Sequence, residues 1–265
     1  MTTGKARRLS RIMESGKILC VPMDHGVSDG PIRGLEDINA IVRKVDEGGA
    51  TSVILHKGSI KALKYEPRLG IIMHASASTS YGQTPYHKVL VSSVEEAVLL
   101  GADAISLHIN VGANMENDML MKLGRVADEA DRWGMPLIAM MYVRGENVKN
   151  QYDPELIKRA VRLGGELGAD IVKAPYTGSV DTFREVVRGS LVPVAIAGGP
   201  KLENVRDVLQ MARDALEAGA IGVTFGRNVF QDRKPEAVVR ALRKIIFEKA
   251  EVDEAVRIYD EESNS

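Results

Sequence analysis

Lys173 closes the run Asp170-Ile171-Val172-Lys173, and a lysine at the end of an apolar, β-branched stretch is placed to do chemistry. It is in phase with Ile171, so on a strand both side chains leave by the same face, away from water. Burial disfavours the charged amine, and a neutral amine can attack a ketone, which makes Lys173 a candidate Schiff-base nucleophile. The plainer alternative is a structural lysine paired with a carboxylate or turned out to solvent. Imine chemistry also needs proton transfers, to dehydrate the carbinolamine and to serve the hydroxyl beside the carbon–carbon bond that is made or broken. Tyr142, at the end of residues 136–142, is a candidate acid, and Asp24, after residues 17–23, a candidate acceptor of that hydroxyl proton. Taken singly, Tyr142 also fits a core tyrosine and Asp24 a helix cap.

Two glycine turns, Gly198-Gly199 and Gly226-Arg227, follow apolar runs at 193–197 and 221–225. Glycine lets an anion approach backbone N–H groups closely, so the pair points to a phosphorylated small-molecule substrate, with ordinary loop closure as the alternative. A second anion site would draw on Lys57, Lys61 or Lys64, which fit a solvated helix face equally well. His25, His56, His74 and His108 raise the possibility of a metal centre. No His-x-His pair closes a strand, and neighbours Asp24 and His25 on one strand would face opposite sides, so no metal is expected. His56 and His74 are instead expected to support or contact substrate. No cofactor is required beyond the covalent imine.

The elements that must position these groups repeat along the chain. Apolar runs recur at 17–23, 51–55, 69–73, 104–109, 136–142, 170–174, 193–197 and 221–225, separated by stretches with helical spacing such as Ile38-Ile41-Val42-Val45 and Ile157-Val161-Leu163-Leu167. Gly-Ala precedes every second run, at Gly49-Ala50, Gly101-Ala102, Gly168-Ala169 and Gly219-Ala220, where a glycine can close a helix in the left-handed conformation. Ser93-Val94-Glu95-Glu96 reads as a capping box and Asp153-Pro154 as an N-cap with a first-turn proline. Eight β/α units predict an α/β chain forming a single (β/α)8 TIM barrel over residues 1–265, with a short N-terminal helix and a C-terminal extension. A doubly wound open sheet is disfavoured because no Gly-x-Gly-x-x-Gly follows an early strand. Residues 76–82 form a long loop after the third strand, either a lid over the site or an inert excursion.

With 35 Lys and Arg against 36 Asp and Glu, and no basic stripe, nucleic acid is not an expected partner. The single cysteine, Cys20, lies in an apolar run, which excludes a disulfide framework. Residues 1–12 are basic but precede no apolar stretch of signal length, and no later run reaches membrane-spanning length, so a cytoplasmic enzyme without membrane contact is expected.

The segments Val21-Pro22-Met23-Asp24-His25-Gly26-Val27-Ser28, Leu55-His56-Lys57-Gly58, Met140-Met141-Tyr142-Val143-Arg144-Gly145, Asp170-Ile171-Val172-Lys173, Ala197-Gly198-Gly199-Pro200-Lys201 and Gly226-Arg227-Asn228 resemble the archaeal-type class I aldolase family over almost the whole chain. The resemblance implies Lys173 as Schiff-base residue, Tyr142 as proton donor and Asp24 as proton acceptor. It further implies a substrate site lined by Asp24, His25, Gly26, Val27, Ser28, Tyr142, Val143, Arg144, Gly198, Gly199, Gly226 and Arg227. Within the family, residues 107–112 resemble a transaldolase branch, and Met140 stands where fructose-1,6-bisphosphate aldolases carry tryptophan. That branch implies an imine with 6-deoxy-5-ketofructose 1-phosphate, release of hydroxypyruvaldehyde phosphate, and addition of the enamine to L-aspartate semialdehyde. The product would serve an alternative early route to 3-dehydroquinate and aromatic amino acids. Fructose-bisphosphate aldolase activity is the alternative, and a non-catalytic barrel scaffold the alternative of another class. The 76–80 loop departs from the branch in lacking consecutive glycines. The resemblance also implies a ring-based homo-oligomer, often a decamer, with residues 252–259 and the basic N-terminal helix as candidate contacts.

Overall fold

The computed structural model describes residues 2–263, so Met1, Asn264 and Ser265 of the expected span lie outside the described residues. Each of the eight apolar runs forms a strand: β1 (Ile18–Pro22), β2 (Ser52–His56), β3 (Gly70–His74), β4 (Ala104–Val111), β5 (Leu137–Val143), β6 (Ile171–Pro175), β7 (Val194–Ala197) and β8 (Gly222–Thr224). All barrel pairings are parallel and follow chain order, and β8 returns to β1 through Ile18–Gly222, Leu19–Val223 and Cys20–Thr224, closing a (β/α)8 barrel. β4 runs further than its apolar pattern, because Asn110 and Val111 stay paired with Tyr142 and Val143 of β5.

Successive side chains alternate between two apolar environments. Cys20, Ile54, Ile72, Ala104, Ile138, Met140, Ile171 and Ala195 share the barrel interior. Their neighbours Leu19, Val53, Met73, Ile105, Ala139, Val172 and Val194 face the helices outside. Both faces are therefore dry, which is why the strands read as continuous apolar runs. The glycines of the four Gly-Ala pairs all have positive φ, 86° at Gly49, 72° at Gly101, 95° at Gly168 and 103° at Gly219. Ser93 accepts a hydrogen bond from the Glu96 N–H and Asp153 from the Leu156 N–H, with Pro154 in the first turn.

The N-terminal helix Thr3–Ile12 closes the N-terminal mouth of the barrel. Ile12 is fully buried in the interior cluster, and its removal from water contributes about 1.5–3 kcal/mol. Lys5, also buried, donates to both oxygens of Asp170 at 2.9 and 2.8 Å, tying the helix to the residue that leads into β6. At the other terminus, Val252–Ser263 packs through Val252 and Ala255 onto the outer core, and the Tyr259 hydroxyl donates to Asp232 at 3.1 Å. Both terminal helices thus commit one face to their own barrel. The long excursion after β3 is not structureless: Ser76–Ala77 and Val89–Leu90 pair as an antiparallel ribbon. No helix among the described residues is long and apolar enough to cross a membrane.

With the N-terminal mouth plugged, access to the interior is from the C-terminal ends of the strands. Cys20 lies below that opening, and burial pushes its thiol up to about 12. The native protein at pH 8 should leave Cys20 unlabelled by an aromatic disulfide reagent over hours and release one thiol equivalent only in denaturant; rapid native labelling would mean an open interior.

Candidate active site

Lys173 occupies the third position of β6, paired with Met140 of β5 and Ala195 of β7, and is 5% exposed. Ile171 sits in the interior cluster and Val172 in the outer one, so alternation carries the Lys173 side chain inward, where it lines a cavity of about 310 Å³ at the C-terminal end of the barrel. Asp24 and Tyr142 line the same cavity, as do His25, Ser28, Arg144, Gly198, Gly199, Gly226 and Arg227. The three remaining residues of the expected set are placed otherwise. Val143 alternates outward into the helix layer and is 3% exposed, whereas Gly26 and Val27 lie on the short helix Gly26–Asp29, with Val27 38% exposed.

Asp24 and His25 do not point to opposite sides as two strand residues would. β1 ends at Pro22, and the two residues form a turn into the Gly26–Asp29 helix, so both face the cavity with His25 Nδ1 3.8 Å from Asp24 Oδ1. Gly226 permits this approach: a Cβ there would stand 2.8 Å from His25 Cε1 and from the Pro22 carbonyl. Beneath Asp24, His74 Nε2 is 3.9 Å from Asp24 Oδ2 while His74 Nδ1 is hydrogen-bonded to Ser106 Oγ at 2.9 Å, and His56 lies edge-on to the His74 ring. Among the described residues, no three His, Cys, Asp or Glu side chains are grouped to hold a metal ion.

Burial opposes ionisation of Asp24, but the fields of His74, His25, Lys173 and His56 outweigh it and hold the carboxyl well below the usual carboxylate range. Burial likewise drives His74 down to about 3, against the pull of Asp24, so its imidazole is neutral at neutral pH. Burial also lowers His25 and His56, and pushes His108 well below its ordinary value.

Tyr142 packs against an imidazole and a guanidinium. His108 stacks at 4.6 Å from it, and the Arg144 guanidinium lies 4.3 Å over its face. His108 Nε2 is fixed by Asn110 Oδ1 at 2.8 Å, and the Asn110 amide donates to the Tyr86 carbonyl at 2.7 Å. The glycine turns form the opposite wall. Gly199 adopts φ +66° with open space where a Cβ would be, and Arg227 donates through Nη2 to its carbonyl at 3.0 Å. The Arg227 Nε is buried with no partner. An unpartnered guanidinium donor beside a left-handed glycine is a cradle for an anion.

Lys57 and Lys61 do not supply a second anion site; both pair with Glu96 away from the cavity, at 3.0 and 3.5 Å. Lys64 lines a separate surface groove. A further cation that faces the cavity is Lys88, on the excursion after β3, together with Ser78, Thr79 and Ser80. Residues 78–80 are thus part of the cavity wall, joined to the β1 turn by Ser28 Oγ donating to the Ser78 carbonyl and Ser80 Oγ to the Ser28 carbonyl, each at 3.1 Å. Nothing in local periodicity marks Lys88, because its position depends on how the ribbon folds back.

Residues 18–232 match the DeoC/LacD family aldolases. The chain belongs to this family. Over 256 residues, covering 96% of this chain and 95% of the relative, it is 42% identical to a 2-amino-3,7-dideoxy-D-threo-hept-6-ulosonate synthase of Halobacterium salinarum. A 2-amino-4,5-dihydroxy-6-oxo-7-(phosphonooxy)heptanoate synthase of Streptomyces griseus is 39% identical over 246 residues, 91% of this chain and 90% of the relative. Among solved structures, an archaeal fructose-1,6-bisphosphate aldolase with its catalytic lysine covalently bound to the carbinolamine intermediate of the substrate superposes with a TM-score of 0.86 at 33% identity, covering 92% of this chain and 99% of that one.

The lowered His74 has a consequence for stability. Folded His74 takes a proton only near pH 3, whereas unfolded histidine does so near 6.5. Between those values the unfolded chain binds the extra proton, so the contribution is intact above pH 6.5 and is lost as pH falls towards 3. His74→Gln, which can still bond Ser106, should recover about 1–3 kcal/mol of the stability lost between pH 7 and pH 4. Chemical denaturation of both proteins at the two pH values measures this; an identical acid loss would place the sensitivity elsewhere.

Proposed function

We propose that this protein is a Schiff-base transaldolase converting 6-deoxy-5-ketofructose 1-phosphate and L-aspartate semialdehyde to 2-amino-3,7-dideoxy-D-threo-hept-6-ulosonate. The observation that carries the reading is the inward, buried Lys173 in one cavity with ionised Asp24 and with Tyr142. The Lys173 amine adds to the C5 ketone of the donor, and Tyr142 supplies the proton with which the carbinolamine loses water. Asp24 accepts the proton of the C3 hydroxyl as the C3–C4 bond breaks and its electron pair flows into the iminium. Hydroxypyruvaldehyde phosphate leaves, and a three-carbon enamine stays on Lys173. Its nucleophilic carbon attacks the aldehyde of L-aspartate semialdehyde, the aldehyde oxygen takes up a proton, and water releases the product and the free lysine.

The identities favour a heptulosonate synthase over a hexose bisphosphate aldolase, at 42% and 39% against 33%. The products named for the two synthases have the same logic. Cleaved between C4 and C5, each gives the same four-carbon amino aldehyde, and they differ in whether the three-carbon half ends in a methyl or in a phosphate.

One observation favours a second reading, in which the donor keeps a phosphate next to its ketone, as fructose 1,6-bisphosphate does. The Gly199 and Arg227 cradle belongs to the turns after β7, which pairs with the strand of Lys173, and after β8 beyond it, whereas 6-deoxy-5-ketofructose 1-phosphate presents a methyl beside its reacting ketone. Product analysis with each ketose, with and without L-aspartate semialdehyde, separates the two. The expected product is the dideoxy-heptulosonate, formed only when the amino aldehyde is present; cleavage of fructose 1,6-bisphosphate at the higher kcat/KM would establish the second reading.

The covalent step has its own test. Borohydride in the presence of hydroxyacetone should add one reduced adduct to the chain, on the peptide containing Lys173. Lys173→Arg should fold yet yield no adduct, because a guanidinium stays protonated and does not attack a carbonyl; an adduct retained in this variant would locate the nucleophile elsewhere.

A further inference from the structure

The two proton-transfer groups fix the side of the cavity on which the acceptor aldehyde must lie. Its oxygen has to meet Asp24 and Tyr142, so the remainder of the acceptor extends past Tyr142, away from Lys173 and away from the Gly199 and Arg227 cradle. Arg144 lies over the Tyr142 ring, Lys88 lines the same cavity, and both cations act on His108, which packs against Tyr142.

Lys88 is brought there by a segment held at several points. At its base, Ser76 Oγ accepts from the His108 N–H at 2.9 Å, and the Val91 N–H donates to the Ala75 carbonyl at 2.8 Å. The neighbouring His87 turns the other way, to Asp118 on the helix Glu116–Trp133, with Nε2 2.5 Å from Oδ2, and Lys122 joins the same carboxylate. With His87 anchored outward, Lys88 faces inward, where its Nζ donates to Ser78 Oγ at 2.5 Å. Burial lowers its affinity for a proton, against the more distant pull of Asp24, and Arg144 acts in the same direction as burial.

Neither Lys88 nor Arg144 has a carboxylate within ion-pair distance among the described residues; the Arg144 Nε donates to the neutral Gln151 Oε1 at 3.0 Å. Two partly buried cations that repel each other and lack a counter-ion are an arrangement that a bound anion would relieve. The carboxylate of L-aspartate semialdehyde lies three bonds from the aldehyde carbon, so an aldehyde held at Asp24 and Tyr142 carries its negative charge a short way along the cavity that these cations line. The phosphate of hydroxypyruvaldehyde phosphate, one bond further along, would occupy the same place on its way out.

We infer that Lys88, with Arg144, forms an acceptor-side anion site that selects aldehydes carrying a carboxylate, holding the α-carboxylate of the incoming amino aldehyde where the leaving phosphate had been. This rests on the reading that a Lys173 enamine is joined to an amino aldehyde, but not on which donor supplies the enamine. The same cations would serve a donor with a phosphate beside its ketone, because that phosphate belongs at the opposite end of the cavity.

The test compares L-aspartate semialdehyde with 3-aminopropanal, the same aldehyde without its carboxylate, as acceptors for hydroxyacetone. The readout is the ratio of their kcat/KM values. Loss of one charge-assisted contact should lower that ratio on the order of 10- to 100-fold in Lys88→Gln, with most of it restored in Lys88→Arg. A ratio unchanged in Lys88→Gln, or unrecovered in Lys88→Arg, overturns the assignment. L-homoserine, the unreactive alcohol counterpart of the acceptor, tests the site without any imine. Calorimetric titration should show it binding the unsubstituted protein and binding Lys88→Gln at least tenfold more weakly. Equal affinity for the two proteins also overturns the site. Failure of borohydride to trap hydroxyacetone on the unsubstituted protein would instead count against the imine chemistry, so the two ideas fail separately.

Discussion

Lys173 is buried in the interior of a parallel barrel with Asp24 lining the same cavity, and most of the architecture can be understood from how these two groups are brought together. Lys173 is 5% exposed and lies above a layer made of Ile54, Ile72, Ile138 and Ile171. An isolated charge in such surroundings would lose its proton or force the site open. Asp24, brought to the cavity by the turn after β1, supplies the opposing charge, and the imidazoles around it are kept neutral by their own burial. Hydrogen bonds with Ser106 and Ser76, one at each ring nitrogen, fix the orientation of the neutral His74 ring.

The plug at the far end of the barrel belongs to the same constraint. Ile12 seals the N-terminal mouth, and Lys5 bonds to Asp170, three residues before Lys173. Water reaching the interior from below would weaken every charge interaction at the top, since the strength of these fields depends on a dry floor. A basic helix that looks like a detachable extension in the sequence is therefore part of what keeps the cavity polar only where substrate enters.

The barrel was legible in the sequence because each strand is buried on both faces and each second helix ends in a left-handed glycine; both properties are local and leave a periodic trace. The inward direction of Lys173 was legible for the same reason, as a two-residue step from Ile171. The orientation of His25 was not. It depends on β1 ending at Pro22 and on the bare backbone of Gly226 two hundred residues away, and neither fact has a local signature. Val143 shows the converse: the family resemblance implied a place in the substrate site beside Tyr142 and Arg144, and strand alternation turns it outward. Lys88 is the furthest from legibility. Its position follows from ribbon pairing between Ser76–Ala77 and Val89–Leu90 and from the outward anchoring of His87 on a distant helix, which are tertiary facts without a pattern in the run of residues around it.

What the strands and the loops contribute differs in kind. Lys173, Tyr142 and the β1 turn are set by barrel geometry, with little freedom to move, which suits groups that must meet the same reacting atoms in every turnover. The cations at the two ends of the cavity come from connecting segments: Arg227 opens the helix after β8, Arg144 follows β5, and Lys88 rides on the excursion after β3. With the imidazoles neutral, Lys88, Arg144, Lys173 and Arg227 face only Asp24 and Asp29, so the cavity carries excess positive charge. A pocket of that sign draws anionic sugars and amino aldehydes alike. Discrimination among them must therefore come from where the charges stand relative to Lys173, and a change in a loop can alter substrate choice while the imine chemistry stays as the barrel sets it.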